Sequence, residues 1–153
     1  MTKRLNLGSG RKRYSGYINI DANPKSNPDI VRDLEKGLPF DDNSIDEIYS
    51  EHFLEHVNPD ELHFVMYEIW RVLKPGCFAS IIVPIGIGWR NSPEHKTHFE
   101  ENSWIFFTDW NRQEDTGYKF KLVFYKVNRA SVPDMPNSEG YGDELIMCLE
   151  AVK

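Results

Sequence analysis

The feature that most constrains this chain is the short distance between its first two strand-like segments. Arg4 to Leu7 reads as a strand and runs into Gly8-Ser9-Gly10, and the next strand-like segment is Tyr17 to Ile20. Only the nine residues Gly8 to Gly16 lie between them. A parallel crossover usually takes about a dozen residues or more. Six helical residues after Gly10 would advance about 9 Å, against about 13 Å needed to travel back along a four-residue strand. The connection is therefore expected to be largely extended, without the helix that dinucleotide-binding folds aim at a pyrophosphate. The rest of that fingerprint is missing too, since Arg13 occupies the place of a third glycine and the next acid, Asp21, follows Gly10 by only 11 positions. The two glycines suit a backbone that turns sharply and lets a ligand approach closely. A tight strand-ending turn accounts for them as well.

Beyond this corner, apolar and β-branched segments alternate with polar loops and one long amphipathic stretch, the pattern of a parallel sheet covered by helices. Further strands are expected at Asp29 to Val31, Glu47 to Tyr49, Phe78 to Val83, Lys119 to Val127 and Glu144 to Val152. A helix is expected from Pro59 to Leu73, with Asn58 as N-cap and Glu61 completing a capping box. Leu62, Met66, Ile69, Trp70 and Leu73 fall on its buried face, and Lys74-Pro75-Gly76 ends it. The last strand is apolar on both faces and belongs inside a sheet. A loop over Ser131 to Asp143, rich in Pro, Gly and Asn, brings it back antiparallel. The fold expected is α/β, a Rossmann-like three-layer sandwich. Its mostly parallel seven-stranded sheet ends in an antiparallel strand, its helices are reduced, and one domain spans residues 1–153.

Charge and composition narrow the partners. With 18 basic and 24 acidic residues the net charge is −6, which disfavours polyanions, and the one compact basic cluster is Arg11, Lys12 and Arg13. No apolar run reaches the roughly 18 residues of a membrane span, and the start, MTKRLNLGSG, has no signal-peptide core, so a cytoplasmic location is expected. Cys77 and Cys148 lack metal-type spacing and read as reduced core thiols.

Asp21 ends the second strand, where a carboxylate can accept hydrogen bonds from two ribose hydroxyls; membership of the turn Asp21-Ala22-Asn23-Pro24 explains it equally. The segments LNLGSG, INIDANP, DLEKGLPFDDNSIDEI, SEHFLEHV and EIWRVLKPGCFASIIVP, in that order, resemble the successive motifs of the class I S-adenosylmethionine-dependent methyltransferases, in particular the small type 11 group. The likeness covers Arg4 to Pro84. It implies S-adenosylmethionine as cofactor, S-adenosylhomocysteine as product, and methyl transfer to a small-molecule, sugar or lipid-linked acceptor rather than nucleic acid. Gly8, Ser9 and Gly10 would then lie under the methionine and ribose, Asp21 and Ala22 beside the ribose, Asp33 and Leu34 beside adenine, and Ser50 and Glu51 near the methionine. Asn6, also assigned to the cofactor site, stands where many members carry an acid. A phosphate-free nucleoside loses little from the missing helix. A module that keeps this fold without the chemistry is the alternative.

His52-Phe53-Leu54-Glu55-His56 matches H-x-x-E-H, in which helical histidines bind zinc and the glutamate activates water for peptide hydrolysis. The methyltransferase likeness accounts for Leu54-Glu55-His56 without a metal, and no metal ligand is assigned. His52, at the carboxyl edge of the sheet, is the first candidate for a catalytic base, and His98 is the second. Trp89, in a loop, is the aromatic expected to face the acceptor.

Overall fold

The computed structural model describes residues 2–90, 92–108, 116–129 and 142–153. Seven strands form one sheet: β1 (Arg4–Leu7), β2 (Ile18–Asp21), β3 (Ile30–Val31), β4 (Ile45–Glu51), β5 (Leu73–Ile85), β6 (Phe120–Asn128) and β7 (Asp143–Ala151). Their order is β3-β2-β1-β4-β5-β7-β6. The pairings among β1 to β5 are parallel, with Leu5 level with both Ile18 and Ile48. Strand β7 runs antiparallel to both neighbours, between β5 and β6. The expected architecture is thus present, including the reversed last strand inside the sheet.

The first connection is helix-free, as the distance argument requires. Two turns cross it, closed by Lys12 N–H donating to the Ser9 carbonyl and Tyr17 N–H to that of Tyr14. Asn6, almost fully buried, fastens it from below, its Nδ2 donating to the Lys12 carbonyl at 2.9 Å and to Asn19 Oδ1 at 3.0 Å. A buried amide with this many donors and acceptors can bind backbone and side chain together, replacing the contacts a helix would have supplied.

Helix α1 (Leu62–Val72) follows a single 3-10 turn, Pro59–Glu61. The expected capping box does not form. Asn58 spends both its backbone N–H and its Nδ2 on the Glu35 carboxylate, at 2.8 and 2.7 Å, so its side chain caps no helical N–H. The apolar stripe packs as read, with Leu62, Met66 and Ile69 buried, while Trp70 is half-buried and donates its indole N–H to the Val152 carbonyl. The break at Lys74-Pro75-Gly76 is an irregularity within β5. Leu73 already pairs with Ile45, and the next pair is Phe78 with Glu47, so residues 74–77 leave the ladder, where a missing Pro N–H costs nothing. Two one-turn helices follow, α2 (Ile87–Arg90) and α3 (Ile105–Thr108).

The core lies where β4, β5 and β7 meet α1, built from Ile48, Ile81, Val83, Met66, Ile69, Leu145, Met147 and Leu149. Cys77 and Cys148 are free thiols. Among the described residues, no helix is long and apolar enough to cross a membrane. The loop expected over Ser131 to Asp143 lies outside the described residues except for its end, as does Trp110.

Candidate functional site

The strand order reverses direction between β1 and β4, and α/β sheets bind ligands at the carboxyl ends of strands beside such a switch. A cavity of about 470 Å³ opens there. Gly8 and Gly10 after β1, Asp21 and Ala22 at the end of β2, Arg32 to Glu35 after β3, and His52 and Phe53 after β4 line it, closed on one side by His56, Val57 and Lys96. Strands β1 to β4 thus each deliver the residues at their carboxyl ends to one place.

The glycine corner has two distinct roles. Gly8 has a φ of +63°, and a Cβ there would lie 2.5 Å from the Cβ of Phe53, so the phenyl ring can sit against the backbone only because the position is glycine. Gly10, at φ +50°, has nothing within 4 Å of a hypothetical Cβ. That space belongs to the cavity, and a side chain would intrude on it. Ser9 between them is buried, and its Oγ, like that of the fully buried Ser50, has no hydrogen-bond partner among the described residues.

Asp21 is oriented by backbone donors on both sides. Its Oδ2 accepts from Gly10 N–H at 2.7 Å and its Oδ1 from Asn23 N–H at 2.8 Å. Each carboxylate oxygen has a second lone pair, so the group keeps two acceptor sites in a fixed direction. That arrangement matches a vicinal diol. Asp33 caps the turn Leu34–Lys36 by accepting from Glu35 N–H, and the Lys36 ammonium beside it, 3.1 Å away, holds its carboxyl below the usual range against the opposing effect of burial. Leu34 packs beside it, almost fully buried.

Four residues assigned to the cofactor, Asn6, Ser9, Ser50 and Glu51, do not line the cavity. Asn6 turns inward to hold the first connection. Ser50 is buried in β4. Glu51 accepts from Tyr14 and Tyr49 at 3.1 and 3.0 Å and pairs with Lys12. Burial opposes ionisation of Glu51, but the Lys12 ammonium and the two phenols outweigh it and hold the carboxyl low.

His52 has a left-handed φ of +53°, an uncommon conformation for a residue with a side chain, at the edge of the cavity. Its Nε2 lies 2.9 Å from Glu144 Oε1, and its Nδ1 lies 3.3 Å from Glu55 Oε1. Burial favours the neutral ring, but the two carboxylates outweigh it and raise the pKa. His98 is elsewhere. Exposed and 2.7 Å from Glu100, it lines a second, largely apolar cavity with Pro59, Leu62, His63 and Phe106. The α2 backbone contains Trp89, whose side chain is outside the described residues.

The zincin geometry is absent. His52 precedes the single 3-10 turn Leu54–His56 in a left-handed conformation, so no α-helix places His52 and His56 on one face. Sequence reading missed Phe53, Arg32, Glu35, Lys96 and, above all, Glu144. Glu144 is 92 positions from His52, and only the antiparallel register of β7 on β5, which sets it opposite Pro84, brings it near.

A parallel sheet switching direction at its first strand, a reversed strand next to the sheet edge, and a helix-free glycine corner facing an aspartate define a Rossmann-like fold of the class I methyltransferase type. Comparison with known proteins agrees. Residues 6–81 match the family model Methyltransf_11, described as a methyltransferase domain. Among solved structures, one chain is from the complex of the Haloferax volcanii Trm112 methyltransferase activator with a methyltransferase. It is 18% identical, with a TM-score of 0.70 over 99% of this chain and 82% of that one. An S-adenosylmethionine-dependent methyltransferase of Methanosarcina mazei is 18% identical, with a TM-score of 0.67 over 98% of this chain and 92% of that one. The Burkholderia thailandensis 1,6-didemethyltoxoflavin-N1-methyltransferase, solved with 1,6-didemethyltoxoflavin and S-adenosylhomocysteine, is 13% identical, with a TM-score of 0.64 over 98% of this chain and 71% of that one. At these identities the likeness establishes the fold. No curated protein matches the sequence. The match to a methyltransferase domain over residues 6–81 and the fold together are consistent with a class I S-adenosylmethionine-dependent methyltransferase.

Proposed function

We propose that the protein binds S-adenosylmethionine in the cavity at the switch point and transfers its methyl group to a small-molecule, sugar or lipid-linked acceptor. The observation that carries this reading is Asp21, held by two backbone N–H groups with a free lone pair on each oxygen, across from a glycine whose missing side chain leaves the cavity open. The residues fit a phosphate-free nucleoside: there is a diol acceptor, a carboxylate and a buried leucine where adenine would lie, and no helix aimed at a pyrophosphate. Gly8, Gly10, Asp21, Ala22, Asp33 and Leu34 are the proposed cofactor contacts. When bound, the cofactor supplies an electrophilic methyl group on a sulfonium.

The chain's own contribution is alignment. In-line transfer needs the nucleophile held in register and water excluded, effects that together supply about 7–11 kcal/mol. Phe53, seated on Gly8, and His52, fixed by two carboxylates, are stiff walls for that purpose. His52 is the proposed proton acceptor in its neutral form, although its two carboxylate partners favour the imidazolium. His98, in the second cavity, has no place in this reading. Nucleic acid is disfavoured as acceptor because Lys12 and Arg13 of the basic cluster are already paired with Glu51 and Asp29.

The second reading, a cofactor-binding module without catalysis, is supported by the same histidine, since both its ring nitrogens already face carboxylates. Incubation with methyl-labelled S-adenosylmethionine and panels of hydroxylated, amine, glycan and lipid-linked acceptors separates the two. Label transfer that His52→Ala reduces at least tenfold supports the enzyme. Cofactor binding without transfer to any panel supports the module, and label on nucleic acid alone would overturn the acceptor class.

A further inference from the structure

Beside the cofactor cavity, the H-x-x-E-H segment meets the loop after β5 in a way the proposed reaction does not use. Glu55 is fully buried, and apart from the long contact with His52 neither of its carboxylate oxygens has a hydrogen-bond partner among the described residues. An ionised carboxylate removed from water needs a compensating charge. Imidazoles surround it. His52 Nδ1 lies 3.3 Å from Oε1 and His95 Nε2 lies 4.0 Å from it. One ligand-capable atom from each of Glu55, His56 and His95 lies within 4.8 Å of the other two.

We propose that Glu55, His56 and His95 bind a zinc-class divalent transition-metal ion. Two imidazoles and one carboxylate form a three-ligand set that leaves a position open. Bonds of about 2.0–2.2 Å to a tetrahedral ion place ligand atoms roughly 3.3–3.5 Å apart, so modest rotations of the side chains close the gap. The backbone has already assembled the two segments: the Glu55 carbonyl accepts from Lys96 N–H at 2.7 Å and Thr97 N–H at 3.0 Å, and Thr97 Oγ1 donates to the Val57 carbonyl at 2.8 Å. His56 Nδ1 faces the Glu94 carbonyl at 3.4 Å, and a proton on that nitrogen leaves Nε2 with its lone pair available, the outer-shell orientation metal-binding histidines commonly have. The imidazoles of His56 and His95 meet edge to face, 5.0 Å between centroids. Relative to the zincin motif, His95 takes the place of His52, whose Nε2 is turned to Glu144. His56 also lines the cofactor cavity, so the ion would sit at its wall.

The inference stands apart from the cofactor reading and is tested without it. The full-length protein, stripped with chelator, is titrated with Zn²⁺ by calorimetry and with Co²⁺ by visible absorption, with Mg²⁺ as a control. The expected result is one equivalent of Zn²⁺ bound at micromolar or tighter Kd, cobalt d–d bands, and at least tenfold weaker binding in His95→Ala and in His56→Ala, with His63→Ala as tight as wild type. Glu55→Gln should also bind more weakly, and the two histidine variants keep the test decisive if that buried change prevents folding. No saturable Zn²⁺ binding by the wild type would overturn the proposal. Equal binding by wild type, His56→Ala and His95→Ala would overturn it as well. S-adenosylhomocysteine titrated into the same samples keeps the two readings apart, since loss of zinc with nucleoside binding intact rejects only the metal site.

Discussion

Gly8 and Gly10 look alike in sequence and differ in what surrounds them. At Gly8 a methyl group would overlap Phe53 and sit at positive φ, so Gly8→Ala should destabilise the protein by about 2–4 kcal/mol, read as a shift in a urea unfolding midpoint. At Gly10 the space is open, so Gly10→Ala should cost only about 1–2 kcal/mol for the left-handed backbone while weakening S-adenosylhomocysteine binding at least tenfold. Equal losses of stability in the two variants would contradict this division. The G-x-G pattern could be read from sequence. The division of labour could not, because it depends on Phe53, which arrives from a strand more than forty positions later. Asn6 shows the opposite limit: its place in a motif suggested a ligand contact, while its actual partners, Lys12 and Asn19, follow from a three-dimensional route no spacing rule encodes.

At the scale of elements, helix α1 is fastened to the segment before β4 through Glu68 and Arg71, which pair with each other, and through the ion pair of Arg71 with Asp42 at 2.6 Å. Glu68, buried on the helix, accepts from Arg71 Nε at 2.6 Å and from the Leu38 N–H at 2.7 Å, while Arg71 reaches the Phe40 and Leu38 carbonyls. The Arg71 guanidinium holds the Glu68 carboxyl below its ordinary value despite the burial that opposes ionisation. A carboxyl depressed in the folded state contributes stability that is fully present above its unfolded pKa, about 4.3, and is lost as pH falls through the lower folded value. Wild type should therefore lose stability below about pH 4.5 more steeply than Glu68→Gln, whose neutral side chain cannot titrate. Urea melts at pH 7 and pH 3.5 give the comparison, and parallel acid profiles would refute it. The helix and its apolar stripe were legible in the sequence because period and burial coincide over eleven residues. Its cap was not, because Glu35, from a different turn, competes for Asn58.

For the whole molecule, the reversed strand β7 is the keystone of the sheet's second half, and its inward residues Leu145, Met147 and Leu149 are fully buried. Met147→Ala should cost about 2–5 kcal/mol. Phe124→Ala, on the half-exposed edge strand β6, should cost less than about 1 kcal/mol, and differential scanning calorimetry would rank the two. Topology was readable from strand spacing, the two-sided apolar character of β7 and the brevity of the first connection. The pairing of His52 with Glu144 was not, since it exists only once β7 is in register on β5. The account as a whole rests on Asp21 as a preset acceptor for a nucleoside diol. Calorimetric titration of wild type and Asp21→Ala with S-adenosylhomocysteine tests this most directly. The account predicts saturable one-to-one binding by wild type, weakened about 10- to 150-fold in the variant, as loss of hydrogen bonds to a charged group implies. No heat from wild type at millimolar ligand, or equal affinity in the two proteins, would contradict it.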